Sequence, residues 1–255
     1  MATLFQRSTI GALLAGIFDG DETIGALLAR GDFGLGTFNG LDGEMVVLEG
    51  ACYHLRSDGS VELADDAAHT PFAAVTRFIP EHTLAIEHPH SRSEVTALID
   101  RAGMSANITV AVRITGRFAS VTTRTVGAQK KPYPSLEQAA RNEVELEFAG
   151  VEGTLVGFRT PEFEHSIGVA GYHLHFLDKS HTRGGHLLDF TIDSGEIALM
   201  EISEIHLSLP TTGAFLRANL DPTGAEDAIH RAEGNDAGLL TRTLALSSCF
   251  SSTSS

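Results

Sequence analysis

The sequence lacks the features of several large classes of protein. It has no run of 18 or more apolar residues, so no segment is predicted to span a membrane. Basic residues are scarce, because 18 lysines and arginines stand against 33 acidic residues, giving a formal net charge of −15. A chain this acidic is poorly suited to nucleic acid or to an anionic membrane, so neither is expected as a partner.

Cysteine and lysine are also rare. Cys52 and Cys249 are too few for a disulfide framework, which fits a reducing compartment. An apolar stretch over residues 10–18 runs into acidic residues without a convincing cleavage site, so we predict no signal peptide and a cytoplasmic location. With only three lysines, Schiff-base chemistry has few candidate residues.

The 255 residues are 42% hydrophobic, enough to bury a sizeable core. Apolar spacing predicts a first helix capped by Ser8 and a second over residues 23–30 that ends at Gly31. A capping box over residues 91–94 predicts a third helix, and Ser135 is expected to begin a short fourth one.

A glycine-rich segment over residues 31–44 invites comparison with phosphate-binding loops. It follows a helix instead of a strand, and Asn39 occupies the place of the last glycine in a dinucleotide fingerprint. We therefore predict a set of tight turns, with close backbone approach to a ligand as the alternative.

Strand-like segments dominate the rest of the chain. A hairpin turn is predicted at residues 57–60. The predicted strands cover residues 44–49, 51–55, 61–63, 72–78, 107–115, 118–126, 144–148, 153–159, 171–177, 186–192 and 197–207. The fold class is therefore α/β of the α+β type, with two packed mixed or antiparallel β-sheet subdomains and peripheral helices.

The predicted domain organisation is simple. We expect one catalytic unit over residues 1–246, divided near residue 150 if it consists of two β-sheet subdomains. A Ser/Thr-rich tail over residues 247–255 is expected to fray.

The strongest chemical signal is a set of three histidines on two neighbouring predicted strands. His173 and His175 share one strand face, and a polar, glycine-ended connection brings His186 back near His175. Three imidazoles suit a tetrahedral zinc ion whose fourth position stays open, and other divalent first-row metals also accept them. His181, in the connection, is a competing third ligand.

The histidines alone leave several interpretations open. They are also compatible with a hairpin whose rings are exposed or bonded to backbone, and with a carbonic-anhydrase-like zinc site. A cupin is excluded because residues 176–180 hold no glutamate. His88 and His90 form a second such pair, but Pro89 places them in a loop without an obvious third ligand.

With these residues assembled, the sequence resembles the α-acetolactate decarboxylase family over about residues 4–233. The ordered matches are more specific than the histidines alone. They lie at residues 5–10, 12–14, 16–20, 31–38, 41–44, 50, 116, 118, 124–126, 129–133, 171–176 and 184–186.

The resemblance implies a zinc-dependent carboxy-lyase that converts 2-acetolactate to acetoin and carbon dioxide in acetoin and butanediol metabolism. It also implies two β-sheet domains and a homodimer. Glu44 and Arg124 would be catalytic, with Arg124 and Thr37 binding the substrate. The implied zinc ligands are His173, His175 and His186.

The resemblance further implies a glutamate near the C-terminus that reaches over the metal. Glu233 is the best match, and Glu226 is a rival because the correspondence is loose there. Taken alone, Glu44 would be read as a solvated strand-edge charge and Arg124 as part of a structural ion pair. Their place in matched blocks favours catalytic roles.

The chemistry of the implied reaction agrees with this set of residues. Acetolactate carries a ketone β to its carboxylate, so loss of carbon dioxide leaves an enolate on that ketone, and neither PLP nor TPP is needed. Zinc would polarise the ketone and stabilise the enediolate, Arg124 would hold the carboxylate or oxyanion, and Glu44 or Glu233 would deliver a proton stereospecifically.

Two other functions remain open at the level of sequence. The same three histidines could serve another zinc-dependent hydratase or hydrolase. A non-catalytic metal-binding or structural β protein is the third interpretation. It predicts that no glutamate lies near the histidines.

Overall fold

The computed structural model describes residues 2–220, which form two packed β-sheets and several short helices. The first sheet has seven strands in the order β15-β1-β8-β3-β4-β5-β6. These strands are β1 (Thr3–Arg7), β3 (Phe33–Thr37), β4 (Glu44–Leu48), β5 (Ala51–Leu55), β6 (Val61–Leu63), β8 (Phe72–Thr76) and β15 (Glu204–Ser208).

The second sheet has six strands, three of them unusually long. They are β9 (His82–Ile86), β10 (His90–Ser91), β11 (Thr109–Thr125), β12 (Val144–Thr160), β13 (Gly171–Asp178) and β14 (Gly184–Ile202). A two-stranded ribbon consists of β2 (Glu22–Thr23) and β7 (His69–Thr70).

The α-helices of the described residues are α1 (Ile10–Leu14), α2 (Ile24–Leu28), α3 (Arg92–Arg101), α4 (Leu136–Ala140) and α5 (Gly213–Arg217). Single 3-10 turns cover Asn39–Leu41 and Glu162–Glu164. Within the described residues, no helix is long and apolar enough to cross a membrane.

The long strands of the second sheet close on themselves. β11 lies between β12 and β14, while β13 pairs with both β12 and β14, so these four strands form a ring. Gly116 and Gly195 face each other in the β11–β14 register, and a side chain on either would strike the opposite backbone. These glycines and the adjacent bulges let the strands bend without ending.

Apolar side chains from both sheets meet in a shared core. Leu35, Val46 and Leu55 of the seven-stranded sheet pack in one buried cluster with Val156 and Phe158 of the six-stranded sheet. Burial of such side chains contributes about 1.5–3 kcal/mol each relative to exposure. This core fixes the two sheets against each other and so fixes any site built between them.

All four predicted helices are present, and the first two are shorter than expected. α1 is capped by Thr9, whose side chain accepts from the Ala12 amide, and not by Ser8, which has a φ of 65°. The C-cap of α2 is Ala29 and not Gly31. The predicted capping box of α3 and the start of α4 after Ser135 are both confirmed.

The prediction of tight turns throughout the glycine-rich segment was wrong for Phe33–Thr37, which form the internal strand β3. A Cβ at Gly34 would lie 2.1 Å from the Ala74 carbonyl oxygen, and one at Gly36 would lie 2.5 Å from that of Phe72. The glycines therefore allow close approach of a neighbouring strand, a demand that comes from tertiary structure.

The packed-sheet α/β architecture is confirmed, and several predicted strands merge. The segments predicted at 107–115 and 118–126 form the single strand β11, and those at 144–148 and 153–159 form β12. The chain passes to the second sheet between β8 and β9 and returns with β15, while residue 150 falls within β12. The domain boundaries stay predictions, since residues 221–255 lie outside the described part.

Candidate metal centre and active site

The three histidines singled out in the sequence converge at one point. His173 and His175 project from the same face of β13, and His175 lies directly opposite His186 of β14. One ligand atom from each residue lies within 4.8 Å of the others, and the ring centroids are 5.1 to 5.3 Å apart. The predicted convergence is confirmed.

The competing histidines are elsewhere. His181 lies outside this group and packs its ring against Tyr53, with 4.7 Å between ring centroids. His88 and His90 form no group with a third ligand among the described residues. The prediction of His181 as an alternative third ligand was therefore wrong.

A backbone carbonyl of the opposite sheet fixes the orientation of His175. Its Nδ1 lies 2.8 Å from the carbonyl oxygen of Met45. Because a carbonyl oxygen only accepts, Nδ1 carries the proton and Nε2 presents a lone pair. That Nε2 is buried and has no hydrogen-bond partner among the described residues, as expected of an atom aimed at a metal.

The environment keeps the imidazoles of His173 and His175 neutral. Burial, with a smaller contribution from the charge of Arg124, lowers the pKa of His173 to about 3. Burial also holds the pKa of His175 well below its ordinary value, with His173 and Arg124 adding to the effect and the Met45 hydrogen bond opposing it. Neutral imidazole is the form that binds a metal ion.

Arg124 comes to the same place from β11, directly opposite His186 in the strand register. Its side chain is 8% exposed, and its Nη1 donates to Oε2 of Glu143 at 2.8 Å. Glu143 was not identified from the sequence. It lies between α4 and β12, in no motif, and only its distance from Arg124 in the folded chain reveals it.

The seven-stranded sheet supplies a carboxylate and a hydroxyl. Glu44 and Thr37 face each other across β4 and β3. Oε2 of Glu44 lies 3.6 Å from Nε2 of His175. The buried Thr37 hydroxyl donates to the Gly43 carbonyl at 2.6 Å, so it can offer only lone pairs to another group.

These six side chains line one cavity, which has a polar and an apolar part. The apolar wall comes largely from α1 and α4 through Ile10, Leu13 and Leu136. Leu41, Phe72, Val126 and Ala140 also line it. The sequence indicated these residues only as helix and strand core, because nothing local marks a core residue as facing a cavity.

One predicted site residue cannot be placed. Glu233 and its rival Glu226 lie outside the described residues. Within the described part, Thr37, Glu44, Arg124 and the three histidines are all brought together. The expectation of a structural protein without a glutamate near the histidines fails, because Glu44 is adjacent to His175.

A cavity with a few convergent polar groups and an apolar wall is the usual form of a small-molecule enzyme site. This fold and site therefore define an enzyme with a candidate metal centre at the junction of two sheets.

Comparison with known proteins identifies the family. The alpha-acetolactate decarboxylase family matches residues 4–222. The enzyme of that name from Methylococcus capsulatus is 45% identical over 230 residues, covering 90% of this chain and 88% of the relative. The one from Klebsiella aerogenes is 43% identical over 232 residues, covering 91% and 89%.

Solved structures agree with this assignment. The crystal structure of alpha-acetolactate decarboxylase from Bacillus subtilis strain 168 matches with a TM-score of 0.89 at 38% identity, covering 91% of this chain and 99% of that one. The chain belongs to the alpha-acetolactate decarboxylase family, whose named members are carboxy-lyases. The resemblance seen in the sequence is confirmed, and a hydratase or hydrolase is not favoured.

Proposed function

We propose that this protein decarboxylates 2-acetolactate to acetoin and carbon dioxide, with zinc held by His173, His175 and His186. One observation carries the proposal. The histidines, Glu44 and Arg124 line a single cavity in a chain whose relatives are named for this activity.

The donor set fits a zinc ion. Three imidazoles offer ligand atoms within 4.8 Å of one another, and the buried Nε2 of His175 is unpartnered among the described residues. Bound zinc supplies a Lewis acid for the ketone oxygen of the substrate. Zinc is preferred over other divalent first-row metals because three histidines and an open position are typical of its catalytic sites.

Arg124 binds the anionic end of the substrate. A chain with a formal net charge of −15 repels an anion at long range, so the attraction must be local. The Arg124 guanidinium is nearly buried at the cavity, where a hydrogen bond to a carboxylate is stronger than in water. It holds the carboxylate before carbon dioxide leaves and stabilises the oxyanion afterwards.

Glu44 transfers the proton that completes acetoin. Loss of carbon dioxide leaves an enediolate, which must be protonated at carbon. Glu44 approaches from the seven-stranded sheet, whereas Arg124 and the histidines come from the six-stranded sheet. A proton source on one side reaches one face of a planar intermediate, which makes the product stereospecific.

Thr37 orients the substrate hydroxyl. Its own proton is engaged by the Gly43 carbonyl, so its lone pairs can accept a hydrogen bond from the substrate. The same hydrogen bond holds Gly43, the residue before Glu44, and so helps to fix the catalytic carboxylate. The role of Glu233 as a second carboxylate at the site stays a prediction.

The test is acetoin formation by purified protein from racemic acetolactate, before and after chelation and again after zinc is added. We expect activity that is lost on chelation and restored by zinc. Two matched variants accompany this assay. We expect His173→Ala to be inactive and the control His88→Ala to be active. Acetoin formation by protein stripped of all metal would refute the zinc mechanism, and no acetoin from folded, zinc-loaded protein would refute the substrate.

Two further predictions concern the whole molecule. The family resemblance implies a homodimer, which light scattering of the purified protein would test. The cytoplasmic location stays a prediction that cell fractionation would test.

A further inference from the structure

We infer that Glu143 is a positioning residue for the proposed decarboxylation, because its carboxylate holds the Arg124 guanidinium in the orientation that receives the substrate carboxylate. The inference rests on the proposed function. Glu143 acts through Arg124, since it is not among the residues that line the cavity.

Arg124 requires such support. An arginine side chain has several rotatable bonds, and confining it costs conformational entropy of up to about 2 kcal/mol. The bond from Nη1 to Oε2 of Glu143, at 2.8 Å, is charge-assisted and therefore stronger than one between neutral groups.

Glu143 is itself fixed by the backbone. Its amide donates to the carbonyl of Ala140 at 3.2 Å, at the end of α4. The next residue, Val144, begins β12 and pairs with Thr125 of β11, adjacent to Arg124. The backbone at Glu143 is therefore anchored both to α4, which lines the cavity, and to β11, which carries Arg124.

The acidic residues at the start of the next strand, β12, differ from Glu143. Glu145 and Glu147 are exposed, whereas Glu143 is half-buried, with its side chain 23% exposed. An exposed ion pair contributes little to stability, but a pair with a nearly buried guanidinium fixes geometry. Glu147, opposite Thr122 in the strand register, provides a matched control for loss of a negative charge.

The first experiment measures kcat and KM for acetolactate in Glu143→Ala, Glu143→Gln and Glu147→Ala. Misplacing a group by about 1 Å can lower the rate about 10²-fold, and we expect a loss of that order in kcat/KM for Glu143→Ala. Glu143→Gln keeps an oxygen acceptor and should retain most of the wild-type kcat/KM. The zinc content and Tm of both Glu143 variants should match those of Glu147→Ala. That control variant should retain full activity.

Two kinetic results would overturn the inference. One is a kcat/KM of Glu143→Ala within about twofold of the wild type, well short of the loss that misplacement produces. The other is a Glu143→Gln variant no better than Glu143→Ala, because then the acceptor oxygen is not what matters.

A second measurement separates this inference from the proposed function. In protein labelled with 15N-arginine, the guanidinium signals of Arg124 are assigned by their loss in Arg124→Lys. We expect restricted rotation of its Nη groups in the wild type and in Glu143→Gln, and faster rotation in Glu143→Ala. Equal restriction in all three refutes the inference, whereas absence of acetoin with the expected NMR result refutes only the proposed function.

Discussion

The two sheets bring different chemistry to the same cavity. The six-stranded sheet contributes nitrogen groups, which are the three histidines and the Arg124 guanidinium. The seven-stranded sheet contributes oxygen groups, which are Glu44, Thr37 and the Met45 carbonyl that orients His175. Under the proposed function this difference is a division of labour, in which one sheet holds the metal and the substrate anion and the other transfers the proton.

The largest expected effect comes from removing a proposed metal ligand of the six-stranded sheet. His186→Ala should abolish both metal binding and acetoin formation. Loss of an outer-shell partner alone costs about 10–100-fold in affinity or activity, and loss of a ligand should cost more. Metal analysis and the acetoin assay would show this, with His90→Ala as a matched control that keeps both properties. Full metal content in His186→Ala would contradict the assigned ligand set.

A change on the seven-stranded sheet should separate activity from metal binding. Glu44→Gln removes the proposed proton donor and should lower kcat by about 10²–10⁴-fold, the usual contribution of general acid–base catalysis. Metal content should stay at the wild-type value. If Glu44→Gln lost its metal as well, the division of labour between the sheets would be wrong.

A smaller effect is expected from a substitution at Gly185, the residue before His186. A Cβ on Gly185 would lie 2.9 Å from Oγ1 of both Thr123 and Thr125, which are buried and unpartnered among the described residues. Gly185→Ala should therefore displace the ligand strand and destabilise the fold by about 1–3 kcal/mol. Denaturation and metal titration would measure this.

Gly168→Ala is the matched control for that substitution. Its new Cβ would meet nothing closer than 3.7 Å. Equal stability and equal metal affinity of the two variants would show that the space around Gly185 does not constrain His186.

The smallest effect concerns the turn between β13 and β14. Burial would raise the pKa of Asp178, but hydrogen bonds from Ser180, Thr182 and Arg183 outweigh it and lower this pKa below its ordinary value. Because the folded-state pKa is the lower one, the ionised carboxylate stabilises the fold above about pH 4, the ordinary pKa. That contribution is lost as the pH falls through the lowered value.

Asp178→Asn should accordingly destabilise the protein by about 1 kcal/mol at neutral pH. The difference from wild type should shrink in acid. Urea denaturation at several pH values would test this, with the exposed turn residue Asp65 changed to Asn as a control. A difference that stays constant from pH 7 to acid would show that ionisation of Asp178 plays no part.

The sequence predicted those parts of the site that depend on local order. His173 and His175 share a face because of the period of a strand, and a short polar connection returns the chain to His186. Glu44 and Arg124 were reached only through the family blocks, since a lone acidic or basic residue has no local signature.

What the sequence did not predict depends on distant contacts. Glu143 is recognised only by its distance from Arg124, and β3 only by the close approach of β8. The long strands were divided at glycines that read as breaks but permit bending, as at Gly116 and Gly195. Local sequence patterns do not show which strand will pair with a given segment.

The pairing of β13 with β14, which closes the ring of four strands, also has a consequence for folding. His173, His175 and His186 belong to one hairpin of β13 and β14, whereas the Met45 carbonyl joins His175 from 130 positions away. A short loop closes at lower entropic cost and faster than a long one. We therefore expect the hairpin of β13 and β14 to form before the sheets dock during refolding, so the proposed capture of metal should precede the recovery of catalysis.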